Sequence, residues 1–134
     1  MRIADLSMLD YLHDARVFHI TYDLEREDDR SLILSVVCHP DSGYDAWNGK
    51  HLTVRLQGMV LLSLLAFGAV TGKERINLWS WGVSDSMESE LNRLQEFGID
   101  CTGTRFTLAF QSGSVLEGLC RSIIVETCSK PCDK

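Results

Sequence analysis

Arg16-Val-Phe-His-Ile-Thr-Tyr-Asp-Leu24 and Leu32-Ile-Leu-Ser-Val-Val-Cys38, set apart by the polar run Glu25-Arg-Glu-Asp-Asp29, decide the fold class of this chain. Both stretches alternate with the two-residue side-chain period of a β-strand. In the first, Phe18, Ile20 and Tyr22 fall on one face and Val17, His19 and Thr21 on the other. In the second, Leu32, Leu34, Val36 and Cys38 alternate with Ile33, Ser35 and Val37. The polar run supplies the turn, so the pair predicts a hairpin and with it an antiparallel sheet.

Toward the N-terminus the period changes. Leu6, Leu9 and His13 lie on one side of Ala4 to His13, with Met8 and Leu12 beside them and Asp5 placed as an N-cap. A short amphipathic helix is expected there. Beyond the hairpin, His39 to Gly49 holds Pro40 and two glycines and reads as a turn-rich loop. Alternation returns over Lys50 to Leu56, whereas Met59 to Val70 is apolar all round and suits a helix or an interior strand equally. Ile76 to Val83 reads as a strand. Asp85 with Glu88 then opens a helix in the manner of a capping box, Met87, Leu91 and Leu94 give it an apolar stripe, and Gly98 with Ile99 ends it. Thr104 to Phe110 and Val115 to Glu126 form a second hairpin around Gln111-Ser-Gly-Ser114. The expectation is α+β: one domain over residues 1–126, a mainly antiparallel sheet of about six strands, and two helices, one N-terminal and one at about 86–97. Residues 127–134 read as a flexible tail.

With 134 residues, 45% of them hydrophobic and 24% charged, the chain is long enough to bury its own core and shows no linker, repeat or low-complexity stretch. Its net charge of −6 is unevenly placed. Residues 1–29 carry −5 and residues 83–100 carry −4, on a remainder of +3. Clustered Lys and Arg, which phosphate backbones require, are missing, so nucleic acid is an unsuitable partner. The stretch between Arg55 and Lys73 is uncharged, but Gln57, Ser63, Thr71 and three glycines interrupt it, so no membrane span is expected. Asp5 and Asp10 break the apolar run a secretory signal needs. Together with an odd count of five cysteines, this predicts a cytoplasmic protein with free thiols. The alternative for Cys128 and Cys132 is a disulfide with each other, or half a metal site completed by Cys38, His39 or His51. No cofactor is called for.

Chemistry-bearing candidates are few. His13 beside Asp14 would serve as a general base in a small hydrolase or transferase. The competing reading has His13 at a helix C-terminus and Asp14 in the turn. Ser112 and Ser114 sit in a turn, and no nucleophile elbow or phosphate loop is present. Trp79 and Trp81 share a strand face and serve as either core or a stacking platform. Tyr44 and Trp47, large aromatics on a loop, are candidate anchors for a protein partner.

His13-Asp14-Ala15 leading into Val17 through Asp23, and Phe106-x-Leu-x-Phe-x-Ser-Gly-Ser114 leading into Glu117 through Glu126, resemble small bacterial domains of unknown function, among them immunity proteins of polymorphic toxin systems. The resemblance covers both ends of the chain and not its middle. It implies a non-catalytic domain that masks a toxin by surface complementarity. The expected function is therefore a protein-binding module that meets a basic protein through Glu25, Glu27, Asp28 and Asp29, with Tyr44 and Trp47 as anchors. Self-association through the apolar strands is a further expectation.

Overall fold

A computed structural model describes residues 2–3, 6–23, 30–65, 76–81 and 85–128. Among the described residues nine strands and one α-helix follow in the order β1 (Arg2–Ile3), a 3-10 helix (Leu6–Leu12), β2 (Arg16–Asp23), β3 (Ser31–Val37), β4 (His51–Gln57), β5 (Leu61–Leu65), β6 (Ile76–Trp81), α1 (Asp85–Glu96), β7 (Thr104–Phe110), β8 (Val115–Cys120) and β9 (Ser122–Thr127). The fold is α+β, in a single domain. Its strands form two sheets where one of about six strands was expected: five strands in the order β1-β9-β4-β3-β2, and four in the order β5-β8-β7-β6. Every pairing is antiparallel.

The extra sheet arises at Arg121. Val115 to Glu126 reads as one returning strand, but β8 pairs with β5 and β7, whereas β9 pairs with β1 and β4. Between them Arg121 donates its amide to Gln57 O at 2.8 Å. Its guanidinium holds the carbonyls of Asp100 and Thr102 at 3.2 and 3.3 Å and the Asp100 carboxylate at 3.1 Å. The Asp100 carboxyl lies below its usual range, first because the Thr102 amide bonds it and then through the Thr102 hydroxyl and Arg121. The loop after α1 is thus fastened where the chain changes sheets.

The inner faces of the sheets meet in one core. Leu34, Val36, Leu52, Val54, Leu56 and Ile123 come from the larger sheet; Phe106, Leu108, Phe110 and Leu116 come from the smaller. Leu9 and Leu12 of the N-terminal helix join this core. That helix is 3-10 and not α: Leu9 and Leu12 stand three residues apart, which aligns them on one face at three residues per turn. Asp5, the expected cap, lies outside the described residues.

The first hairpin forms as expected, with one change of phase. The register of β2 on β3 shifts between Val17 and His19. This β-bulge inserts one residue, so Val17, Ile20 and Tyr22 face the core while Phe18 turns outward, stacked on His51 at 6.1 Å. Arg16 lies 4.9 Å above the Phe18 ring. The ambiguous apolar run yields a strand, β5, over Leu61–Leu65; residues 66–75 lie outside the described set.

α1 lies on the outer face of the smaller sheet, where Glu88 pairs with Arg105 of β7 and Met87, Leu91 and Leu119 are buried. It ends in the expected Schellman turn: Gly98 has φ +81°, Gly98 N donates to Gln95 O, and Ile99 N donates to Leu94 O, each at 3.0 Å. Ile99 does not bury itself in closing the turn and remains 44% exposed.

Candidate functional site

The loop from Cys38 to Lys50 is held at its base by Cys38 N to Lys50 O at 3.0 Å and Gly49 N to Cys38 O at 3.1 Å. Inside it, Ser42 N donates to Asn48 Oδ1 at 3.0 Å, and the Ser42 hydroxyl donates to the same oxygen. Tyr44 N donates to Ser42 Oγ at 3.2 Å, and Trp47 N to Tyr44 O at 2.9 Å. Short polar side chains thus satisfy the backbone that Pro40 and the glycines keep out of a ladder. The result is a cross-braced platform.

On that platform Tyr44 packs edge-to-face on Trp47, with ring centroids 5.0 Å apart, and Tyr11 lies 5.3 Å from Tyr44. Trp47 is 3% exposed and belongs to the core, which makes it first a structural residue of the loop. Tyr44 is half-buried. With Val125, Glu126 and Thr127 of β9, the two aromatics line an open groove of about 420 Å³. β9 runs through Thr127, and Cys128 N still donates to His51 O at 2.8 Å, so ordered sheet extends past residue 126. The β9 contribution was hidden in the sequence because Thr127 joins Trp47 in lining the groove only once β9 lies beside β4.

Of the expected partner-binding residues the structure describes Tyr44 and Trp47, which lie side by side. Glu25, Glu27, Asp28 and Asp29 lie outside the described residues. Their flanks, Asp23 and Arg30, stand at one end of the β2–β3 hairpin, and the Tyr44–Trp47 loop leaves the other end of β3. β3 has seven residues, which separates the two ends by roughly 20 Å.

His13 and Asp14 do meet. Asp14 adopts a left-handed φ of 65°, which swings its carboxylate to 3.2 Å from His13 Nδ1 although neighbouring side chains ordinarily diverge. Gln111 Nε2 donates to the other carboxylate oxygen at 2.5 Å. Asp14 N and Ala15 O both bond Ile76, fixing this corner against β6. The His13 side chain is 58% exposed and neither residue lines the groove. The arrangement ties the β7–β8 turn to the N-terminal corner.

Cys38, Cys101 and Cys120 are free thiols, and Cys128 is disulfide-bonded. In that state Cys128 offers no thiolate to a metal; Cys132 lies outside the described residues. Among the described residues no three His, Cys, Asp or Glu side chains stand in a metal-binding arrangement. Nor is any described helix long and apolar enough to cross a membrane. β6 pairs Trp79 with Leu108 and Trp81 with Phe106, while the tryptophan side chains lie outside the described set.

Burial pushes the Cys120 thiol from 9.0 up to about 12 and raises that of Cys38 as well. Below the unfolded value the thiol is neutral in both states. Above it the unfolded chain ionises first, so stability is lost as pH rises toward the folded value. Cys120 alone should remove about 1.4 kcal/mol of stability between pH 7 and pH 10. Urea unfolding at both pH values should show that loss in the wild type and a smaller one in Cys120→Ala.

No family model, curated protein or solved structure matches the chain. What the site does must be argued from its chemistry.

Proposed function

We propose that this protein is a non-catalytic binding module that recognises a basic protein segment through the groove between the Cys38–Lys50 loop and β9. The observation that carries this reading is the groove itself: an aromatic pair set on a braced loop, with the exposed Glu126 carboxylate among its lining residues. Buried or half-buried aromatics in a concave site are the usual anchors of protein recognition. Asp41 and Asp45, exposed on the same loop, add negative charge; Lys50 at its base is the opposing cation. Across a charged rim, complementarity speeds association more than it deepens affinity. A role in masking a toxin, implied by the resemblance to immunity domains, would use the same surface.

The test is capture from host lysate on the immobilised chain, followed by binding measurements with the protein retained. That protein should be basic, and its association rate should fall about tenfold or more between low and high salt. Tyr44→Ala and Glu126→Lys should each weaken binding about tenfold; Glu126→Lys, at an exposed position, should leave the unfolding midpoint nearly unchanged, whereas Tyr44→Ala also loses ring contacts with Tyr11 and Trp47 and should lower it. Trp47 is unsuitable as a probe because its loss opens the core. Undiminished binding by both variants, or a salt-insensitive rate, would overturn the proposal.

A further inference from the structure

The four sheet edges are unequally protected. β1, at one edge of the larger sheet, is two residues long, whereas β2 at the other runs for eight. Long edges invite pairing with another chain, and natural ones are usually blunted by Lys, Pro or a bulge. β2 has its bulge at Phe18; from His19 to Asp23 it has none of these.

Which backbone groups face outward follows from the ladder. Antiparallel strands alternate hydrogen-bonded and non-hydrogen-bonded pairs. Cys38 N donates to Lys50 O, so the even-numbered residues of β3 bond β4 and the odd ones bond β2. Ser31, Ile33 and Ser35 therefore bond Asp23, Thr21 and His19. Ile20 and Tyr22 are left to turn their N–H and C=O groups to the open edge. Among the described residues no backbone bond from another segment reaches either of them.

We infer that β2 is a self-association edge, on which a second copy of this chain pairs antiparallel about a two-fold axis at Thr21. This inference is independent of the groove, which lies by β9, three strands away across the sheet. The register meets three requirements together. Ile20 of each copy bonds the partner's Tyr22, joining the two residues whose backbone groups point outward. Side chains pair like with like, since Ile20 and Tyr22 pack on the core side while His19 and Thr21 are exposed on the other face. The His19 imidazole faces the partner's Asp23 carboxylate, an isologous and complementary pair on either side of the axis. The paired stretch stops before the bulge at Phe18. Two five-stranded sheets thereby become one of ten strands.

Sedimentation velocity on the full chain tests this. The wild type should pass from monomer to dimer between about 1 and 300 μM, as a small edge interface implies. At the axis Thr21 meets Thr21 in a non-hydrogen-bonded pair with Cα atoms about 4.5 Å apart, where like charges repel. Thr21→Lys and Thr21→Asp, each alone, should raise the dimer dissociation constant about tenfold, and an equimolar mixture of the two should restore it. Circular dichroism of each variant should match the wild type, because Thr21 is exposed. A wild type that stays monomeric throughout, single variants that dimerise like the wild type, or a mixture no tighter than its components would each overturn the inference.

Discussion

Gly118→Ala is expected to destabilise the protein by about 3 kcal/mol or more, near the upper end for a single added methyl group. Gly118 sits in β8 between β5 and β7, opposite Leu62 and Phe106. A Cβ built there would lie 2.2 Å from Leu61 O and 3.1 Å from Leu61 C. Both atoms belong to the backbone, so no rotamer change relieves the contact; β5 must move away from β8. Since β5, among the described residues, pairs only with β8, its displacement loosens that edge of the smaller sheet. Urea denaturation would show the loss as a lower midpoint. A midpoint within about 0.5 kcal/mol of wild type would mean that β5 is not held against Gly118 as described.

Phe106→Ala should cost about 3–5 kcal/mol, the usual range for emptying a buried phenylalanine site. Phe106 is fully buried and is the largest of the fully buried side chains among the described residues. Its cross-strand partner is Gly118. Phe106→Leu, which keeps most of the volume, should lose about half as much. The double variant Phe106→Ala/Gly118→Ala also discriminates. The strain at Gly118 is against β5 backbone and not against the ring, so the cavity cannot absorb it and the two losses should nearly add. A double variant more stable than Gly118→Ala alone would place the clash on the Phe106 side.

Much of this architecture was legible because local pattern and burial agree. Leu32, Leu34, Val36 and Leu52, Val54, Leu56 alternate without interruption, and each is buried. α1 was readable from its C-terminal end, Gly98 with Ile99, because capping chemistry is local; at its start Asp85 and Glu88 both lie in the first turn. The number of sheets was harder to see. In Val115 to Glu126 the buried inner-face positions shift from Leu116 and Cys120 to Ile123 and Val125, a change of parity that marks the switch of sheets. The bulge in β2 likewise moved side chains between faces without a glycine to announce it. For the site, Tyr44 and Trp47 stood out by type and loop position. Val125, Glu126 and Thr127 did not, since only the long-range pairing of β9 with β4 brings them alongside.

The interior places of β8 and β9 bear on how this chain is made. β8 lies between β5 and β7, and β9 lies between β1 and β4, so each sheet receives a central strand from residues 115–127. During vectorial synthesis the earlier strands wait as separate hairpins with open edges, and neither sheet can close until this stretch has left the ribosome. Pairings such as Leu52 with Thr127 and Leu61 with Leu119 span about half the chain, and closure of so long a loop is slow. Nascent molecules therefore pass through a period in which apolar strands such as β4 and β5 lack their neighbours, and chaperone binding would be concentrated there. A ribosome halted before residue 115 would hold a chain with neither sheet complete.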